Sequence, residues 1–204
     1  MAGFRLSAAF AAALCLAGAV ALAQQPTTKR VRGQIEAVDG SALTVKTREG
    51  PVVKIALADN LVVMGVSKLE LSAIQPNSFV GAASVKQPDG TLRALEVLVF
   101  PESARGSGEG HFPWDLQPES LMTNATVGSV AARPNGRSLE LTYKDGKQTV
   151  FVPDGAPIVT FAPADRSLLV KGAYLFIGGA AVGADGGLTA TRILAGKDGA
   201  VPPM

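Results

Sequence analysis

The 204 residues carry 19 Lys and Arg against 17 Asp and Glu, with 47% hydrophobic residues, 23 Gly, 13 Pro and one Cys. Nearly balanced charge with no Lys/Arg cluster excludes a basic stripe that would track phosphates, so nucleic acid is not an expected partner. A single Cys excludes an internal disulfide, which leaves buried apolar surface to hold the fold.

The chain opens with one basic residue, Arg5, followed by a charge-free run over residues 6–23 that ends in Ala21-Leu22-Ala23. A basic start, an apolar middle and small residues at the −3 and −1 positions are the pattern of a signal peptide. Cleavage is expected after Ala23, with export to the periplasm or the medium. A retained membrane helix would need about 20 apolar residues, and this Ala-rich run is marginal in length. Leu14 before Cys15 stands where a lipoprotein signal needs a small residue, so no lipid anchor is expected. Removing residues 1–23 leaves 181 residues with a charge of about +1 and no Cys.

Residues 24–30 are polar and contain Pro26, the composition of a disordered lead. From Val31, short alternating strands are predicted at 31–38, 43–47 and 52–57, separated by Asp39-Gly40 and Glu49-Gly50, the dipeptides of tight hairpins. Further strands are predicted at 61–66, 79–85 and 92–100, with one short helical turn within 67–74 and a turn at Asp89-Gly90. The second half repeats this at a shift of 96 residues. Gly40 meets Gly136, Leu43 meets Leu139, Val45 meets Leu141, and Asp89-Gly90 meets Asp185-Gly186, while a one-residue slip pairs Gly33 with Gly128. One shift that aligns several turns and the apolar positions between them indicates an internal repeat. The expected fold is mostly β: two tandem homologous modules, small barrels or curved sheets, at 31–101 and 126–195, joined by a connecting segment at 102–125, with little helix apart from the signal peptide. Residues 196–204 are expected to be a tail that does not fold.

The pattern VRGQIEAVDGSALTV from Val31 to Val45 resembles the repeat unit of a family of exported bacterial β-barrel-like domains of unassigned function. The segment Gly108-Glu109-Gly110-His111-Phe112-Pro113-Trp114-Asp115, with Met122-Thr123-Asn124-Ala125 downstream, is similar to a stretch of proteobacterial periplasmic proteins, some labelled metal ABC transporter permease. The resemblance implies an exported β protein and brings no catalytic residues. A permease needs several apolar stretches of about 20 residues, and the chain after Ala23 contains none.

Unusual chemistry concentrates in the connecting segment, which holds the only His and the only Trp. Glu109-x-His111-x-x-x-Asp115 offers one imidazole and two carboxylates, a partial ligand set for a divalent metal that would need a further ligand from elsewhere. The competing reading tucks His111, Phe112 and Trp114 into the cleft between the modules, with Pro113 stiffening the approach and Asp115 capping a turn. Ser103, Ser107, Ser120 and Thr123 are near enough in sequence to approach His111, but no G-x-S-x-G elbow is present. The glycines at 178, 179, 183, 186 and 187 flank a short strand rather than open a helix, so they read as turns and not as a phosphate cradle. Asn124-Ala125-Thr126 matches a glycosylation pattern that has little meaning in a chain of bacterial style. The sequence therefore points to a non-enzymatic binding protein without a required cofactor. His111, Phe112 and Trp114 would face a protein partner or small ligand in the cell envelope. The alternative is a periplasmic metal-binding or metal-delivery protein using Glu109, His111 and Asp115, and a purely structural envelope component is a third class.

Overall fold

The computed structural model describes residues 27–203; the expected signal peptide and its cleavage point lie outside the described residues. Twelve strands form a single sheet system: β1 (Thr28–Asp39), β2 (Ala42–Thr47), β3 (Val52–Lys68), β4 (Phe79–Lys86), β5 (Leu92–Val99), β6 (Gly110–Pro113), β7 (Leu121–Arg133), β8 (Gly136–Tyr143), β9 (Gly146–Pro153), β10 (Ile158–Ala164), β11 (Tyr174–Val182) and β12 (Leu188–Gly196). The described helix is confined to three single 3-10 turns. None is long and apolar enough to cross a membrane.

Strands form where apolar and polar residues alternate, since successive side chains point to opposite faces. In β2, Leu43 and Val45 are fully buried while their neighbours are not. In β3, Ile55 and Leu57 turn inward in the same way. The break predicted at residues 58–60 is absent, and β3 runs on for 17 residues. It bends instead: Leu57 pairs with Ala190 and Val62 with Arg192, so residues 58–61 bulge against the single Thr191. The Arg166 guanidinium braces the bulge, donating to the Ala58 and Asp59 carbonyls at 2.9 and 3.2 Å.

Strands β11, β1, β2, β3 and β12 close into a five-stranded barrel, with β12 returning parallel to β3. Its interior is filled by Val31, Ile35, Leu43, Val45, Ile55 and Ile193 among others. Each such side chain contributes about 1.5–3 kcal/mol on leaving water. A second ring of pairings runs β5, β4, β7, β8, β9 and returns to β5 through Leu92–Val150 and Arg93–Phe151. Strand β10 joins the two, antiparallel to β3 and parallel to β5.

The pairing does not follow the expected division at 102–125. β11 pairs with β1, and β4 pairs with β7, so each ring takes three strands from one half of the chain and a hairpin from the other. The registers match across the two rings: Gly33 faces Leu175 as Ala125 faces Val80, and Val63 faces Ile193 as Ile158 faces Val97. Past its bulge the β7–β8 hairpin runs two pairs further than β1–β2, through Ala132–Arg137 and Arg133–Gly136.

The expected disordered lead and tail are folded over their described residues, 27–30 and 196–203. Thr28 and Lys29 already pair with Ala181 and Ala180 in β11. At the other end, the Lys197 N–H donates to the Val66 carbonyl at 2.9 Å, and Ala200 is 1% exposed between Val66, Leu98 and Val159. Gly196 permits this fold-back: a Cβ there would stand 1.8 Å from the Ala200 carbonyl oxygen.

Candidate functional site

The connecting segment is stitched to the protein along its length. β6 pairs with β7, setting His111 opposite Thr123 and Phe112 opposite Met122. Beyond it, Ser120 closes a turn, its hydroxyl oxygen lying 2.9 and 2.8 Å from the Trp114 and Gln117 carbonyls, to either of which its one proton can be donated.

His111, Glu109 and Asp115 have three separate surroundings. His111 Nδ1 lies 2.8 Å from Thr123 Oγ1, and its ring stacks with Tyr143 at 6.2 Å between centroids. Burial pushes its pKa below the ordinary value of 6.5, so the imidazole is neutral at pH 7. Glu109 Oε1 accepts the Lys144 backbone N–H at 3.0 Å. Asp115 accepts from Arg30 Nη1 at 2.5 Å and from Arg32 Nη2 at 2.6 Å. Partial burial works against its charge, but the hydrogen bonds and charges of the two arginines outweigh it and hold the carboxyl at about 2. Among the described residues no three His, Cys, Asp or Glu side chains are grouped to hold a metal ion. The expected metal set is thus not brought together, and each member is engaged by a different partner. The His111–Thr123 contact is also poorly placed for nucleophilic chemistry, since Thr123 is 0% exposed.

The aromatic pair is engaged inside the protein as well. Trp114 meets Phe112 edge to face at 6.1 Å, lies 4.2 Å under the Arg30 guanidinium and 5.7 Å from that of Arg32. Its indole N–H and Arg30 Nε are buried without a hydrogen-bond partner. Trp114 and Asp115 together staple the connector to the outer wall of the barrel.

Beside this staple lies a cleft of about 360 Å³. One wall is the outer face of β1, β2 and β11, carrying Gln34, Lys46 and Tyr174. Leu116 of the connector, Glu96 of β5, and Val201 and Pro202 of the folded-back tail enclose it. The Arg48 guanidinium ties its rim to the connector through the Leu116 carbonyl at 3.0 Å. Gly33 lets the strands approach here, since a Cβ would stand 2.3 Å from the Lys46 carbonyl oxygen. A wider hollow of about 620 Å³ near Thr91 and Arg93 is formed mostly by exposed hairpin residues and lacks comparable walls. Sequence reasoning missed the cleft because its residues come from five separated segments, the β1–β2 hairpin being one of them. The available signal was Arg30-x-Arg32-x-Gln34 beside Lys46-x-Arg48: polar positions in one phase on two strands of a hairpin, hence on one face.

Comparisons of this chain with models of protein families, with curated proteins and with solved structures gave no match.

Proposed function

We propose that this chain is an exported, non-enzymatic binding protein of the bacterial cell envelope that holds a small ligand in the cleft between barrel wall, connector and tail. The carrying observation is the cleft itself: about 360 Å³, in the size range of small-molecule sites, with Tyr174 and Val201 left 38% and 55% exposed at it. Export is supported by the signal-like run at residues 6–23. The matched registers of the two rings support an origin by duplication of one repeat unit, with the C-terminal hairpins of the copies exchanged. The metal-delivery reading draws no support from Glu109, His111 and Asp115, which have three separate partners.

Trp114 is the sole Trp, and its neighbour Arg32 lines the cleft, so indole emission reports on occupancy. The test is to titrate the chain lacking residues 1–23 with small-molecule fractions of a bacterial envelope extract. A saturable change that is lost in Gln34→Phe, whose ring fills the middle of the wall, supports the reading. A response unaltered in Gln34→Phe, or none from any fraction, rules it out.

A further inference from the structure

The wall of the cleft is polarised across three strands. Lys46 of β2 pairs with Gln34 of β1, and Gln34 with Tyr174 of β11, so the three side chains stand in one row on the outer face. Strand spacing puts the ends of that row roughly 10 Å apart. The row begins in an ammonium group and ends in a phenol ring. The Lys46 ammonium has no ion-pair or hydrogen-bond partner among the described residues. The apolar side chains of the lining are Leu116, beside the Arg48 guanidinium that its carbonyl meets, and Val201 and Pro202 of the tail. Of the other lining cations, Arg32 is held by Asp115 and Arg48 pairs with Glu49.

The adjacent row shows what this wall accepts. Arg32 pairs with Phe176, and the Arg48 N–H donates to the Arg32 carbonyl at 2.8 Å, so this row also runs from cations to a ring. It is covered by the connector, whose Asp115 carboxylate sits on Arg32 with Trp114 and Leu116 on either side in sequence. A carboxylate with apolar flanks from the chain itself therefore occupies one row, and the Lys46–Gln34–Tyr174 row next to it is uncovered.

We propose that the cleft takes a small organic anion with an apolar body, of the medium-chain carboxylate class. Its carboxylate meets Lys46, and its body lies along Gln34 toward Tyr174 and Val201. This rests on the binding reading above and adds the ligand class.

The test titrates octanoate, octanol and octylamine, each below its aggregation threshold, against the chain lacking residues 1–23, following Trp114 emission and heat of binding. Octanoate is expected to bind saturably. Octanol should bind about fivefold more weakly, the scale of one exposed ion pair, and octylamine more weakly still. Added salt should weaken octanoate and leave octanol unchanged. Lys46→Glu should reverse the order of octanoate and octylamine, and Tyr174→Ala should weaken all three alike. If octanol matches octanoate, or Lys46→Glu leaves the order intact, the anion assignment fails and the binding site stands. If none of the three binds while an extract fraction still changes Trp114 emission, the ligand class fails alone. Silence toward both probes and extract removes the ligand class and the binding reading together.

Discussion

Arg30 holds its guanidinium 4.2 Å from the centroid of the Trp114 ring. The same group grips Asp115, so one strand residue secures two consecutive residues of the connector. Truncating the ring in Trp114→Ala removes the contacts with Arg30, Arg32 and Phe112 and leaves space under the arginines. The expected cost is about 2–3 kcal/mol, at or below the low end for buried aromatics because Trp114 is only half-buried. Urea unfolding measures it, and a midpoint equal to that of the parent would remove the staple from the account.

Asp115 titrates in the folded protein at about 2, below the usual carboxylate value of 3.8. A depressed carboxylate stabilises above its unfolded pKa, and the contribution fades as pH falls from about 4 through 2. Asp115 is 51% exposed, so solvent screening reduces its contribution to about 1 kcal/mol. The stability gap between the parent and Asp115→Asn should be present at pH 7, shrink from about pH 4 downward and be largely lost by pH 2. A gap that persists undiminished in acid contradicts the ion-pair origin.

Burial lowers the His111 pKa, which makes the neutral ring the form that folding favours. Its contribution is complete above the unfolded value of 6.5 and is lost as pH drops through the folded pKa. Because the chain has one His, a proton NMR titration of a single ring resonance reads the value directly. The midpoint should lie below 6.5; at or above 6.5, the packing of His111 against Thr123 and Tyr143 is wrong.

Gly196→Ala places a Cβ where the Ala200 carbonyl now stands. The tail must then leave its seat among Val66, Leu98 and Val159, exposing the peptide bond after Lys197. Limited trypsin digestion should cut after Lys197 many-fold faster in the variant than in the parent. Equal rates would mean that the tail accommodates the methyl without lifting.

Because β11–β12 belongs to the barrel begun by β1 and β4–β5 to the ring containing β7, neither half of the chain contains a complete ring. Fragments 27–109 and 110–203 should each lack a cooperative unfolding transition, and an equimolar mixture should recover one. Two fragments that melt cooperatively alone would restore the tandem arrangement expected from the repeat.

What the sequence revealed was local. Asp39-Gly40, Asp89-Gly90 and Asp185-Gly186 marked hairpin turns correctly, since a tight turn is specified by the residues within it, and all three glycines adopt positive φ. The continuity of β3 through Asn60 was hidden, because the bulge there depends on β12 and on Arg166, over 100 positions away. The connector was recognisable as unlike its flanks, yet the partner of Asp115 lies 85 positions away in Arg30, and nothing near Trp114 in sequence announces it. The cleft was illegible for the same reason. Gln34, Lys46, Tyr174 and Val201 look like ordinary strand and tail residues until nonlocal pairing sets them side by side.

The pairing of β11 with β1 and of β12 with β3 also governs when this molecule can become itself. During synthesis the first three strands emerge with the open edges of β1 and β3 waiting for β11 and β12, which come last. Until the final stretch is released, those edges are available to any passing strand of another chain. A holding chaperone that shields them should therefore matter more to the yield of this protein than to that of one whose barrels close in the order they are made.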